Sequence, residues 1–159
     1  MRGVVTPRPG VGVKTTKFSV EIPIACPASA VRRWWTDLPE QYQASDPAEE
    51  PFRIVITKKL PNGNELATYW HGTDGKDFRI DETMTLKTDG SWELDLQLPA
   101  GFRIHDALRA VPAAGGSLLR ITAEVTPLNR EAESGVPALT AWMEGVWRRA
   151  AKICERDAR

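Results

Sequence analysis

The chain has 159 residues, enough for one domain that buries about 70% of the surface its unfolded form would expose. Its 21 Lys and Arg balance 21 Asp and Glu, which argues against nucleic acid or an anionic membrane as the main partner. Two cysteines near opposite ends, Cys26 and Cys154, lack metal-ligand spacing and read as reduced thiols of a cytoplasmic protein, and no stretch reaches the ~20 apolar residues of a membrane span.

Pro7, Pro9, Gly10 and Gly12 interrupt the apolar run a secretory signal would need, so residues 1–12 read as a flexible tail and 13–159 as the folded domain. Phe18, Val20, Ile22 and Ile24 then alternate with polar positions, the period of a half-buried strand, and Pro23 suits an edge or a bulge. Pro27 can open a helix whose stripe is Val31, Trp34, Trp35 and Leu38, and Pro39 limits it. A short second helical turn is expected at residues 40–42. Six strands follow, at about 52–60, 64–72, 76–87, 91–98, 102–111 and 117–126. Beyond Pro127 the period becomes helical, with Leu139, Trp142, Met143, Val146, Ala150 and Ile153 on one side. That helix of about 20 residues is about 30 Å long and can cross a small sheet.

Four marks separate the strands: Pro61-Asn62-Gly63, Thr73-Asp74-Gly75, Thr88-Asp89-Gly90 and Pro99-Ala100-Gly101. Each reads as a three-residue hairpin loop, in which a type I turn is followed by a glycine at positive φ. Counting outward pairs Leu60 with Asn64, Gly72 with Lys76, Lys87 with Ser91 and Leu98 with Phe102. One row across the sheet becomes Ile56, Thr68, Ile80, Leu98 and Phe102, and the next Lys58, Leu66, Glu82, Leu96 and Ile104. Register of this kind is strongly specified, because a one-residue slip inverts every side chain.

The opposite face collects charges of both signs, and both histidines fall there, His71 opposite Asp77 and His105 opposite Asp95, as cross-strand pairs. This leaves no metal site and no histidine chemistry to expect, and no cofactor is implied. On the apolar face Thr68, Glu82, Asp106 and Lys58 stand out, since a buried carboxyl must be paired, hydrogen-bonded or neutralised. A structural pair between Lys58 and Glu82, or a bulge turning one of them outward, is the alternative to a ligand role.

The order strand, short helices, six-strand antiparallel meander and long terminal helix resembles the START-like, or SRPBCC, superfamily of polyketide cyclases, lipid carriers and birch-pollen-allergen-like proteins. The local likenesses are residues 18–38, running from Phe18-Ser19-Val20-Glu21-Ile22 into Trp34-Trp35-Thr36-Asp37-Leu38, and the closing helix around residues 142–155. The resemblance implies an α+β helix-grip fold, a seven-stranded antiparallel curved sheet in the order β-α-α-β6-α wrapped around the C-terminal helix. It also implies a cavity for a hydrophobic or aromatic ligand, and carries over no catalytic residue.

Three functions compete. The first is a carrier or sensor of a lipid- or polyketide-like molecule, with Trp35, Trp70, Phe78, Trp92, Phe102, Trp142, Met143 and Val146 as wall and Thr68, Glu82 and Asp106 orienting polar groups. The second is a cyclase or dehydratase using Glu82 or Asp106 as a general acid or base. The two carboxyls sit two strands and two residues apart, about 12 Å before twist, too far for a tight dyad. The third is a chaperone-activator-like module whose sheet surface binds a protein partner.

Overall fold

The computed structural model describes residues 13–158. Its element order is β1 (Thr16–Ile24), α1 (Ala28–Thr36), β2 (Gln41–Gln43), β3 (Arg53–Leu60), β4 (Gly63–His71), β5 (Asp77–Leu86), β6 (Trp92–Leu98), β7 (Phe102–Ala113), β8 (Gly116–Pro127), α2 (Arg130–Glu133) and α3 (Val136–Asp157). The strands form one antiparallel sheet in the order β1-β8-β7-β6-β5-β4-β3-β2, a meander onto whose far edge the first strand folds back. The expected tail at 1–12 lies outside the described residues.

Local chemistry accounts for the element ends. Pro27 is the N-cap of α1, with its carbonyl accepting from Ala30 and Val31, and Asp37 closes the helix two residues before Pro39. Proline at the start of α3 has no amide donor to leave unsatisfied there. Pro23 sits in β1, an edge strand that can spare a ladder bond. The Asn129 side chain accepts from the Ala132 amide and caps α2, a short helix that the sequence reading passed over.

The sheet has eight strands where seven are expected, because residues 41–43 pair with Arg53–Val55 instead of forming a helical turn. Three marks behave as three-residue loops: Gly75, Gly90 and Gly101 have φ of 81°, 89° and 97°, and His71 pairs with Asp77, Leu86 with Trp92 and Leu98 with Phe102. The first mark does not. Leu60 pairs with Gly63 across a two-residue turn, and a bulge between Ile56 and Lys58 shifts the register once more. The two slips restore the inward face beyond the bulge but move the pairing by two residues, so Thr68 meets Ile54 instead of Ile56 and Leu66 meets Ile56 instead of Lys58. Within the bulge parity is lost, and Lys58 sits opposite Glu65 and exposed, which removes it from the expected pocket markers.

The inner face of the sheet packs under α3, which buries Met143, Trp147, Ala151 and Cys154, while α1 covers β7 and β8 and buries Ala30 and Val31. Both cysteines are unpaired and buried. On the outer face His71 meets Asp77 at 3.0 Å and His105 meets Asp95 at 2.6 Å, the expected cross-strand pairs. Among the described residues no group of three His, Cys, Asp or Glu is placed to hold a metal ion, and no helix is long and apolar enough to cross a membrane.

Candidate functional site

The sheet and α3 do not close on each other along their whole length. A cavity of about 620 Å³ remains between them, opening between the C-terminal ends of α1 and α3 and the loop before β3. Its floor is the inward row of four strands: Leu66, Thr68 and Trp70 from β4, Ile80, Glu82 and Met84 from β5, Leu94 and Leu96 from β6, Ile104 and Asp106 from β7. Trp142, Met143, Val146 and Trp147 of α3 form the roof, and Trp34 and Trp35 of α1 stand at one side. Alternation at period two explains why one face supplies all the floor residues.

Polar groups within this apolar shell are few, and three of them are connected. Trp70 Nε1 donates to Thr68 Oγ1 at 2.8 Å, and the Thr68 hydroxyl donates to Glu82 Oε2 at 2.7 Å, with the Ile80 carbonyl a second acceptor at 3.3 Å. Removal from water is the main influence on Glu82, raising its pKa to about 7 against the smaller opposing effect of the Thr68 bond. The surface that Glu82 keeps is cavity surface. Asp106 is 4% exposed and its Oδ1 has no hydrogen-bond partner among the described residues. Burial first, then the charge of Glu82, pushes its pKa up to about 8, with His105 beyond the sheet opposing. At neutral pH Asp106 therefore holds its proton and Glu82 sits near its midpoint, as burial without a cation demands.

Most of the expected pocket residues share this cavity: Trp35, Thr68, Trp70, Glu82, Asp106, Trp142, Met143 and Val146 all lie on its wall. Three do not. Trp92 is 0% exposed, in a row with Leu86 and Leu108, and its ring lies 6.5 Å from that of Trp35 in the core that α1 covers. Phe102 is buried at the β6–β7 hairpin beneath the entry to α3, where its ring lies 3.4 Å from the Cβ position of Gly135. Phe78 stacks on Trp70 and lines a separate recess of about 380 Å³ with Leu98, Leu139 and the far side of Trp142. All three face inward as the alternation requires, and the positions of the helices exclude them from the cavity.

Sequence reasoning missed Trp147, four residues after Met143 on the same helical stripe, where the i, i+4 spacing could have found it. It also missed the rim. Tyr42, Glu49, Glu50 and Pro51 reach the mouth from β2 and an irregular loop that has no periodicity to read. Arg156 bridges that loop to α3, its guanidinium lying 2.8 Å from Glu49 and 2.8 Å from Asp157.

No family model matches the chain, and no curated protein matches it by sequence. Solved structures do. The di-domain ARO/CYC BexL from the BE-7585A biosynthetic pathway is similar at a TM-score of 0.65 and 13% identity, over 91% of this chain and 50% of that one. The chain thus spans about half the length of BexL. Norcoclaurine synthase from Thalictrum flavum is similar at a TM-score of 0.65 and 14% identity, over 99% of this chain and 95% of that one. Ara h 8.0201 is similar at 0.61 and 12% identity, over 90% and 99%. These identities carry a fold and no chemistry. With an antiparallel sheet gripping a long C-terminal helix and these neighbours in structure, the chain has a helix-grip fold.

Proposed function

We propose that the protein binds a hydrophobic or aromatic small molecule, lipid- or polyketide-like, between the sheet and α3, as a carrier or sensor. The supporting observation is the cavity: about 620 Å³ of space walled by aliphatic and indole side chains, with polar groups confined to Thr68, Trp70 Nε1, Glu82 and Asp106 in its interior. Ligand sites of about 300–1,000 Å³ have this composition, an apolar wall with a few placed polar groups. Trp35, Trp70, Trp142, Met143 and Val146 supply the contact surface in this reading, and Thr68, Glu82 and Asp106 the orientation. The protein's likeness in fold to the ARO/CYC protein BexL of a biosynthetic pathway is compatible with it.

N-phenyl-1-naphthylamine, uncharged at neutral pH and fluorescent in apolar surroundings, tests the reading. Its emission should rise on titration with the protein, with a Kd in the micromolar range, about −8 kcal/mol. Val146→Trp places an indole in the space and is expected to weaken binding about tenfold or more while the variant still unfolds cooperatively. Absence of enhancement with the wild-type protein, or equal binding by the variant, would remove the cavity from consideration.

A second reading is favoured by the two carboxyls whose pKa values of about 7 and about 8 suit proton transfer at neutral pH. In a cyclase or dehydratase, Asp106 would donate a proton as general acid, or Glu82 remove one as base. Turnover of a polyketide substrate should then fall about 100-fold or more in Glu82→Gln or Asp106→Asn. Unchanged turnover in both variants would exclude the enzyme reading.

A further inference from the structure

The floor of the cavity holds two carboxyls and, among the described residues, no cation. On the floor the Trp70 indole donor is spent on Thr68, and the Thr68 hydroxyl is spent on Glu82. What remains polar on the floor is the carboxyl pair of Glu82 and Asp106, and Asp106 Oδ1 is a buried atom with no partner among the described residues. No lysine lines the cavity among the described residues, and Arg33 is the one basic side chain on its wall, exposed at the mouth. Around that mouth Asp37 follows α1, Tyr42 comes from β2, Glu49 and Glu50 from the loop before β3, and Asp157 from α3. Arg156 compensates Glu49 and Asp157, and Glu50 accepts the His71 amide at 2.8 Å. His105 and Asp95 face Asp106 from the other side of the sheet. The wall thus carries six acidic residues and one basic one.

We propose that the cavity selects organic cations, an aromatic or aliphatic body bearing a protonated amine whose N–H groups are received by Asp106 and Glu82. The proposal rests on the reading of the cavity as the binding site. An ammonium group offers several donors to the two carboxyls and the positive charge the floor lacks, whereas a carboxylate ligand would add a third acidic group to two that already oppose each other. The indole faces of Trp70 and Trp142, whose rings are 5.3 Å apart, offer a second attraction to a cation. In the empty cavity protons neutralise Asp106 and part of Glu82. A bound ammonium takes over that role, so each carboxyl that ionises on binding releases its proton to the buffer.

Three naphthalenes that differ in one substituent test this: 2-naphthylmethylamine, 2-naphthalenemethanol and 2-naphthoate, titrated calorimetrically at about pH 7.5 and low salt. The amine should bind about tenfold or more tighter than the alcohol, a factor equal to 1.4 kcal/mol, and the naphthoate should bind weakest. Titration in phosphate and in Tris, which differ in heat of ionisation, should show proton release for the amine and none for the alcohol. In a Glu82→Gln/Asp106→Asn double variant the ratio of amine to alcohol affinity should fall to about one. A ratio near one in the wild-type protein, tighter binding of naphthoate, or a preference that survives in the double variant overturns cation selection while leaving the cavity as a binding site. Failure of all three probes to bind overturns both.

Discussion

Raising the pH from about 6 to about 8 is expected to weaken the wild-type fold by about 3–4 kcal/mol, and Asp106→Asn is expected to remove about 2 kcal/mol of that loss. The larger cause is the proton on Asp106. Its ordinary value is 3.8, and burial, helped by the charge of Glu82, pushes it up to about 8 in the fold against His105. Between those two values the folded protein holds a proton that the unfolded chain has released. The folded state therefore loses up to about 1.4 kcal/mol per pH unit relative to the unfolded state across this window, and the slope vanishes once the folded carboxyl ionises. Glu82, raised from 4.5 to about 7, acts in the same direction and stops earlier.

Other groups bear on the same window. The pKa values of His71 and His105 are raised by their hydrogen bonds to Asp77 and Asp95, so their contributions are complete below about 6.5 and disappear as pH rises through the folded values. They have the same sign as Asp106, but they are solvent-facing pairs of the kind that contribute little. Asp89 and Asp157 are lowered, by Ser91 and Arg156 respectively, and their contributions are already complete at the acid end of the window. All of these, and Glu82, remain in Asp106→Asn, which isolates the contribution of the Asp106 proton. Urea unfolding of both proteins at the two pH values measures the difference. Equal pH slopes would show that Asp106 is ionised in the fold.

Glu82 and Asp106 were legible from the sequence because they are polar interruptions in rows that are otherwise apolar, and hairpin loops of known length say which rows those are. The same counting placed His71 against Asp77 and His105 against Asp95. It failed at Lys58, where a turn one residue shorter than expected and a bulge each shift the pairing by one. Two such slips preserve the inward face further along β3, so nothing in the pattern of Ile54 and Ile56 reveals them. β2 was illegible for a different reason: three residues carry too little alternation, and their strand exists only because β3 offers an edge. For Trp92 and Phe102 alternation sets the face, but whether an inward residue meets a helix or a cavity depends on where α1, α2 and α3 come to rest. That placement is a tertiary matter that no local period encodes.

Gly63→Ala is expected to cost about 3 kcal/mol or more, against about 1–2 kcal/mol for Gly75→Ala, although both glycines end the same sequence mark. Gly75 is a loop residue at φ 81° with open space where a Cβ would stand, so its substitution meets only the backbone preference against positive φ. Gly63 is already in β4, paired with Leu60 on one side and Thr85 on the other. A Cβ there would meet the Met84 carbonyl oxygen in β5, and the carbonyl is backbone that cannot swing aside without parting the two strands. The consequence reaches the cavity, because Leu66 and Met84 flank this point on the floor. Urea midpoints of the two variants give the stability difference, and N-phenyl-1-naphthylamine binding should weaken in Gly63→Ala and stay near wild type in Gly75→Ala. Equal costs would mean that β4 and β5 can separate at Gly63 with little penalty, and that the floor of the cavity tolerates movement at that corner.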